Sequence, residues 1–358
     1  MATHFYKLRV SKVNQETSQC VSVSFEVPAE LEQAFAYRQG QYLTLRTHIN
    51  GQEVRRNYSL CSSPLDNEWK VAIKKVDGGL FSTWANTELK AGMELEVMPP
   101  IGKFFTPLEP QQQKNYLAIA AGSGITPVLS IISTTLRTEP GSRFTLIYGN
   151  RNKGSIIFKE ELEALKDKFI DRFRLIHILS RERTDAEILH GRITGEKMET
   201  LAAQLIDLSR VDECFLCGPE QMILEARQSL LSAGLSKEKI HVELFTSSAS
   251  HKPIHRNDAS ESHKQPMAAI TVKIDGIESS FALEYMGNSI LDAALLQGAD
   301  LPYACKGGVC CTCKAKLLEG KVDMDVVYGL EPDEIAAGYI LTCQSHPRTP
   351  VVKVDYDI

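Results

Sequence analysis

Between Tyr303 and Lys316 the chain reads YACKGGVCCTCKAK, and four of its nine cysteines, Cys305, Cys310, Cys311 and Cys313, fall within nine positions. No other feature constrains the fold as strongly. Thiols this close in sequence must line one loop, and the loop must bend around whatever they hold. A disulfide framework is one use of crowded cysteines, but it belongs to small secreted chains. This chain has 358 residues, enough for two or three domains with separate cores. It has no apolar run near the ~20 residues of a bilayer span. Its first residues, MATHFYKLRV, lack the regions of a signal peptide. The expected location is the cytoplasm, where thiols stay reduced, and no membrane partner is expected. Metal binding or redox work is then the expected use of the loop.

Charge is unevenly placed. Residues 268–358 hold 13 Asp/Glu against 7 Lys/Arg, a net of −6, while the rest of the chain is nearly balanced. The acidity belongs to the cysteine-bearing segment. It disfavours a nucleic-acid partner, which would want the opposite sign.

The sequence reads as three folded segments and a joint. Residues 1–110 alternate apolar and polar in short runs (VSVSFEV, QYLTLRTHI, WKVAIKKV, MELEVM), which predicts an antiparallel β-barrel. Residues 111–245 carry buried parallel-type strands followed by helices, such as YLAIAA before PVLSIISTTLR and ECFLCG before EQMILEARQSLLSAG. That pattern predicts an α/β doubly wound domain. Residues 246–267, rich in Ser, His and Lys, read as a flexible linker. His251 and His255 have helical ligand spacing there, but Pro253 lies between them and metal binding is not expected. Residues 268–358 predict an α+β domain of β-grasp type. It has a strand pair (AITVKID, SSFALEY), a helix capped by Ser289 and Asp292 and ended by Gly298, and a second helix opened by Pro332.

Cys305, Cys310 and Cys313, with Cys343 further on in ILTCQSH, have the C-x4-C-x2-C…C spacing that resembles plant-type [2Fe–2S] ferredoxins. Two irons need four thiolates, and Gly307 and Gly308 let backbone N–H groups approach the bridging sulfides. Zinc, the alternative, draws on two paired Cys/His hooks, and Cys343 has no near partner. Cys311 is expected to be a bystander. Cys214 and Cys217 form a further C-x-x-C, but an odd offset on a strand points them to opposite faces.

A cluster that accepts single electrons requires something that can divide the pair delivered by a nicotinamide, and a flavin can. RNYSL resembles the R-x-Y-S motif of the ferredoxin–NADP reductase superfamily, and GGLFS, AAGSGITP, CGP and HVELF follow in that superfamily's order. The resemblance implies that Arg56 pairs with a flavin phosphate, Tyr58 packs on the isoalloxazine and Ser59 reaches its reactive nitrogen. Gly79, Leu80 and Ser82 would clamp the pyrophosphate. Thr126 would stand near the flavin, Cys217 beside the nicotinamide, and Phe245 over its ring. Asn57, Lys74, Gly122, Gly124 and Gly218 complete the implied cofactor-binding set, with Ser59, Cys217 and Glu243 as the catalytic residues.

Ser180 and Arg181, after RLIHIL, are placed to read a ribose 2′-phosphate, which favours NADPH over NADH. The whole chain is most similar to reductases of bacterial phenylacetate-degrading oxygenase complexes. By that resemblance it uses FAD, a [2Fe–2S] cluster and NADPH (NADH being the alternative), and its protein acceptor is a diiron oxygenase. Other oxygenases or a hybrid-cluster protein are alternative acceptors, and a non-catalytic redox sensor is the remote one.

Overall fold

The computed structural model describes residues 4–184, 186–245, 266–285 and 287–358. The expected linker, with His251 and His255, lies outside these residues except at its end, where Met267 opens a strand. The chain divides into two units. One comprises Phe5–Val54 and Tyr58–Phe245, and the other is built mainly on residues 266–358.

The first unit begins with β1 (Tyr6–Thr17), β2 (Cys20–Glu26), β3 (Tyr42–Ile49), β4 (Gln52–Ser59), β5 (Trp69–Lys74), a helix α1 (Leu80–Thr87) and β6 (Glu94–Val97). The strands form one sheet in the order β4-β3-β6-β1-β2-β5. Asn50 and Gly51, with φ of 52° and 77°, make the two-residue turn between β3 and β4. An antiparallel bridge from Leu60 to Val71 joins the two edges and rolls the sheet into a barrel. Alternate residues fill it, among them Leu8, Val23, Leu45 and Ile73, and Phe81 from α1 joins this core.

The same unit continues as β7 (Asn115–Ala121), α2 (Ile125–Thr138), β8 (Arg143–Asn150), α3 (Lys159–Lys168), β9 (Phe173–Leu179), α4 (Gly195–Leu205), β10 (Glu213–Gly218), α5 (Glu220–Ser232) and β11 (Ile240–Leu244). All neighbouring strands pair in parallel, in the order β11-β10-β7-β8-β9. This is the doubly wound arrangement. The chain steps outward from β7 to β9 and then returns to β10, so a switch-point crevice opens beyond the ends of β7 and β10. Cys214 and Cys217 do face opposite layers, packing in different cores. Helix α4 carries little signal in the sequence, because only Met198 and Leu201 of its residues are buried.

The second unit has β12 (Met267–Ile274), β13 (Ile277–Glu284), α6 (Ile290–Leu296), β14 (Lys314–Glu319), β15 (Val322–Met324), α7 (Pro332–Ala336), β16 (Tyr339–Leu341), β17 (Ser345–Pro347) and β18 (Val351–Asp355). Its five-stranded sheet runs β13-β12-β18-β14-β16, with β12 and β18 parallel. Asp275 and Gly276, both at positive φ, turn the β12–β13 hairpin. Ser289 caps α6 by accepting the Asp292 N–H, and Gly298 follows the helix at φ 84°. Pro332 sits in the first turn of α7, as its missing N–H allows.

At the switch point the backbone leaves no room for a side chain. A Cβ built on Gly124 would lie 2.1 Å from the Cys217 carbonyl oxygen. Gly124→Ala must push the turn before α2 away from the end of β10 and is expected to lower stability by about 1–3 kcal/mol, read as a drop in melting temperature with unchanged secondary-structure content by circular dichroism.

Candidate functional site

Strand β4 carries Arg56, Asn57, Tyr58 and Ser59, and its pleat sends Tyr58 and Ser59 to opposite faces. Tyr58 lies beside Phe81, ring centroids 5.5 Å apart, and Phe81 meets Trp84 edge-on at 5.7 Å. Arg56, half-buried, donates from Nη1 to the Arg55 carbonyl at 2.7 Å. The loop before α1 is tight. Gly78 has φ 72°, and a Cβ on Gly79 would come 2.5 Å from Ser82 Oγ. Ser82 accepts the Val76 N–H at 3.1 Å and donates to the Gly79 carbonyl at 3.3 Å, so its hydroxyl shapes the loop. Helix α1 starts at Gly79 without a side-chain cap, which leaves its opening N–H groups to an anion.

Ser59 is buried and donates to Glu243 Oε2 at 3.1 Å. Glu243 stands on β11 in register with Cys217 on β10, so the three residues expected to be catalytic come together in the first unit. Burial pushes the Glu243 carboxyl up to about 8, against the opposing hydrogen bond from Ser59. Cys217 is fully buried, and burial, then the Glu243 charge, raise its thiol well above the usual range. Phe245 follows β11 and is 38% exposed.

Beyond β7, Gly122 has φ 55°, and its carbonyl accepts from Tyr148 Oη at 2.9 Å. A Cβ there would lie 3.0 Å from the Lys74 ammonium, whose pKa is lowered first by burial and then by Arg151. Thr126, buried in the first turn of α2, donates to the Ser123 carbonyl at 3.0 Å. Gly218 closes β10 against Ala121, where a Cβ would meet the Ala121 nitrogen at 3.2 Å. Ser180 and Arg181 extend the β8–β9 ladder by donating to the Asn150 and Arg151 carbonyls at 2.9 and 2.8 Å.

In the second unit the four expected ligands gather as two pairs. The Cys310 thiol donates to Cys305 and the Cys313 thiol to Cys343. The acceptors are correspondingly acidic. Cys305 is pushed down to about 6, by Cys310 first and then by the N–H groups of Gly307, Val309 and Cys310. Cys343 is lowered by Cys313 and by the Gly308 N–H. The donors Cys310 and Cys313 are raised well above the usual range. Gly308 is obligatory here, at φ 74° with a Cβ position 2.8 Å from the Val326 carbonyl oxygen. Cys311 turns away from the pairs. At φ 53° it donates its thiol to the Gly329 carbonyl. Among the described residues no three His, Cys, Asp or Glu side chains converge on a single-ion site. Two thiol pairs ringed by N–H donors suit a two-iron cluster better than one zinc.

Sequence reasoning did not pair Ser59 with Glu243, 184 positions away. Nor did it find the Gly329 backbone against the cysteine loop. The raised Glu243 carboxyl gives a pH-dependent stability. Between the ordinary carboxylate range and about pH 8 the folded state keeps a proton that the unfolded chain has lost, so this residue's contribution falls as pH rises. Glu243→Gln in cofactor-free protein is therefore expected to melt close to wild type near pH 4 and several degrees above it near pH 9. A constant difference across that range would contradict the burial argument.

Comparison with known proteins agrees with this geometry. Three family models match: an oxidoreductase FAD-binding domain over residues 7–106, an oxidoreductase NAD-binding domain over 118–228, and a 2Fe-2S iron-sulfur cluster binding domain over 272–348. The chain is 49% identical to one of the subunits of 1,2-phenylacetyl-CoA epoxidase of Escherichia coli (strain K12), over 99% of this chain and 98% of the relative. It is 36% identical to the ferredoxin reductase component of 3-ketosteroid-9-alpha-monooxygenase of Rhodococcus rhodochrous, over 98% and 96%. Phthalate dioxygenase reductase shares the fold, with a TM-score of 0.61 at 22% identity and 98% of each chain covered. None of the described helices is long and apolar enough to cross a membrane. The chain therefore belongs to the NAD(P)H-dependent iron–sulfur flavoprotein reductases of oxygenase systems, a ferredoxin–NADP reductase-type FAD and NAD module followed by a [2Fe–2S] ferredoxin domain.

Proposed function

We propose that this chain is the cytoplasmic reductase of a phenylacetyl-CoA epoxidase, taking electrons from NADPH and handing them singly to a diiron oxygenase component in phenylacetate catabolism. The observation that carries this reading is the 49% identity to the epoxidase component over nearly the full length of both chains. FAD, when bound, supplies the passage from two-electron to one-electron chemistry.

The chain's own residues do the rest. Tyr58 and Phe81 form an aromatic wall for the ring system, while Arg56 and the uncapped start of α1 supply cationic and N–H partners for phosphates. Ser59 holds the Glu243 carboxyl by a hydrogen bond, and the pair would border the ring. Because Glu243 keeps its proton below about pH 8, the crevice presents a neutral acid at neutral pH, and no fixed negative charge opposes the arriving hydride equivalent. Cys217 would offer the nicotinamide a neutral, compact thiol, and the partly exposed Phe245 would cover the flavin ring. Ser180 and Arg181 receive the ribose 2′-phosphate. In the second unit Cys305, Cys310, Cys313 and Cys343 would hold the cluster.

Two experiments test the reading. Replacing any one of Cys305, Cys310, Cys313 or Cys343 by Ala should abolish the cluster's visible absorption and its reduced-state paramagnetic signal. Cys311→Ala should keep both, and a lost signal there would show five residues to be essential. In the second, anaerobic full-length holoprotein is mixed with NADPH and then with candidate acceptors. Flavin absorbance should bleach rapidly, the cluster should be reduced after it, and a phenylacetyl-CoA epoxidase oxygenase should turn over. Because the ferredoxin segment is acidic, turnover should slow as salt shortens screening to ~8 Å. Absence of bleaching would favour a sensor. Better support of a ketosteroid monooxygenase or a hybrid-cluster protein would reassign the acceptor.

A further inference from the structure

The loops that follow β8 and β9 carry the bases Arg151, Lys153, Arg181 and Arg183 and the acids Glu182 and Asp185. Glu182, set between two arginines, sits badly with a seat for a phosphate dianion, unless its charge is spent elsewhere. It is spent on residue 153. The Lys153 backbone N–H donates to Glu182 Oε2 at 2.8 Å, and the Lys153 ammonium lies 3.5 Å from Oε1. The backbone bond first, and the ammonium after it, hold this carboxyl below the usual carboxylate range. The turn that presents Lys153 is built for the purpose. Asn152 N–H donates to Ser155 Oγ at 3.1 Å, and Ser155 Oγ returns a bond to the Asn152 carbonyl at 2.7 Å. The bonds from Ser180 and Arg181 N–H to Asn150 and Arg151 keep the two loops in register. Among the described residues Arg181 and Arg183 form no ion pair, so their charges stay available.

We propose that Lys153 is a specificity-determining residue for the nicotinamide cofactor: by neutralising Glu182 it makes the paired β8 and β9 loops a net cationic seat for the ribose 2′-phosphate. The inference rests on the NADPH reading above. A carboxylate left free beside the ribose would favour a 2′-hydroxyl and repel a phosphate. Lys153 acts through Glu182, which makes it a positioning residue whose effect depends on that acid being present.

The test is a double-mutant cycle on full-length holoprotein at low ionic strength. Calorimetric titration with 2′,5′-ADP and with 5′-AMP needs no turnover. Lys153→Met should weaken 2′,5′-ADP binding about threefold to fivefold, the scale of an exposed ion pair, and leave 5′-AMP unchanged. Glu182→Gln alone, which frees the Lys153 ammonium, should leave 5′-AMP unchanged and bind 2′,5′-ADP at least as tightly as wild type, and Lys153→Met/Glu182→Gln should return 2′,5′-ADP binding to the wild-type value. In turnover the Lys153→Met effect should fall on KM for NADPH and spare kcat. A double variant that binds 2′,5′-ADP as weakly as Lys153→Met, or equal weakening of both nucleotides by Lys153→Met, would overturn the role given to Lys153 while leaving NADPH preference standing. Wild-type protein that binds 2′,5′-ADP no better than 5′-AMP would overturn the NADPH reading, and this inference with it.

Discussion

One hydrogen bond, from Ser59 at the end of a barrel strand to Glu243 on the last strand of the parallel sheet, marks the constraint on which the first unit depends. Hydride transfer requires donor and acceptor atoms in near contact, so flavin and nicotinamide sites must be fixed to within a fraction of an ångström. Barrel and parallel sheet meet this need by sharing a core. Cys20, Cys61, Ala72 and Phe104 pack with Val128, Ile132 and Phe215 in one cluster. Polar ties reinforce it. Ser130 Oγ donates to the Ser62 carbonyl at 2.6 Å, Ser63 and Thr134 hydroxyls meet at 2.9 Å, and Lys70 reaches Glu161 at 2.8 Å. The two halves that sequence texture separates at residue 110 therefore behave as one body.

What could be read from the sequence was whatever chemistry writes locally. Three of the four proposed cluster ligands fall within nine positions, as one loop wrapping two irons would require. Ser289, Gly298 and Pro332 announce helix ends because caps act within a turn. The doubly wound sheet showed in its apolar strands, which are buried on both faces. Contacts distant in sequence left no such trace. The parallel pairing of β12 with β18 joins the two ends of the ferredoxin unit, and neither strand's pattern names its partner. Ser82 looked like a phosphate ligand from its motif, but its hydroxyl is engaged with Val76 and Gly79. That hydroxyl shapes the turn before α1.

The nine cysteines show how one residue type is sorted by surroundings. Cys20, Cys61, Cys214 and Cys217 are enclosed by apolar packing, which penalises a thiolate and pushes each thiol upward, Cys20 to about 12. Such thiols, held neutral by apolar packing, are poor nucleophiles. Cys305 and Cys343 move the other way, because N–H groups and a neighbouring thiol solvate the anion before any metal arrives. Cys310 and Cys313 are raised instead, so each pair couples one lowered and one raised thiol.

Cys217 is the instructive case, since it stands where the resemblance places a catalytic residue. A thiolate there would be a nucleophile next to an electrophilic nicotinamide and would invite covalent addition. Burial and the neighbouring Glu243 both act against that charge, so the residue presents sulfur as a neutral, polarisable contact. Its carbonyl, pressed against Gly124, also fixes the distance between the two loops of the crevice. A single residue thus meets Gly124 through its backbone and keeps a protonated side chain. Both effects follow from the strand that buries it.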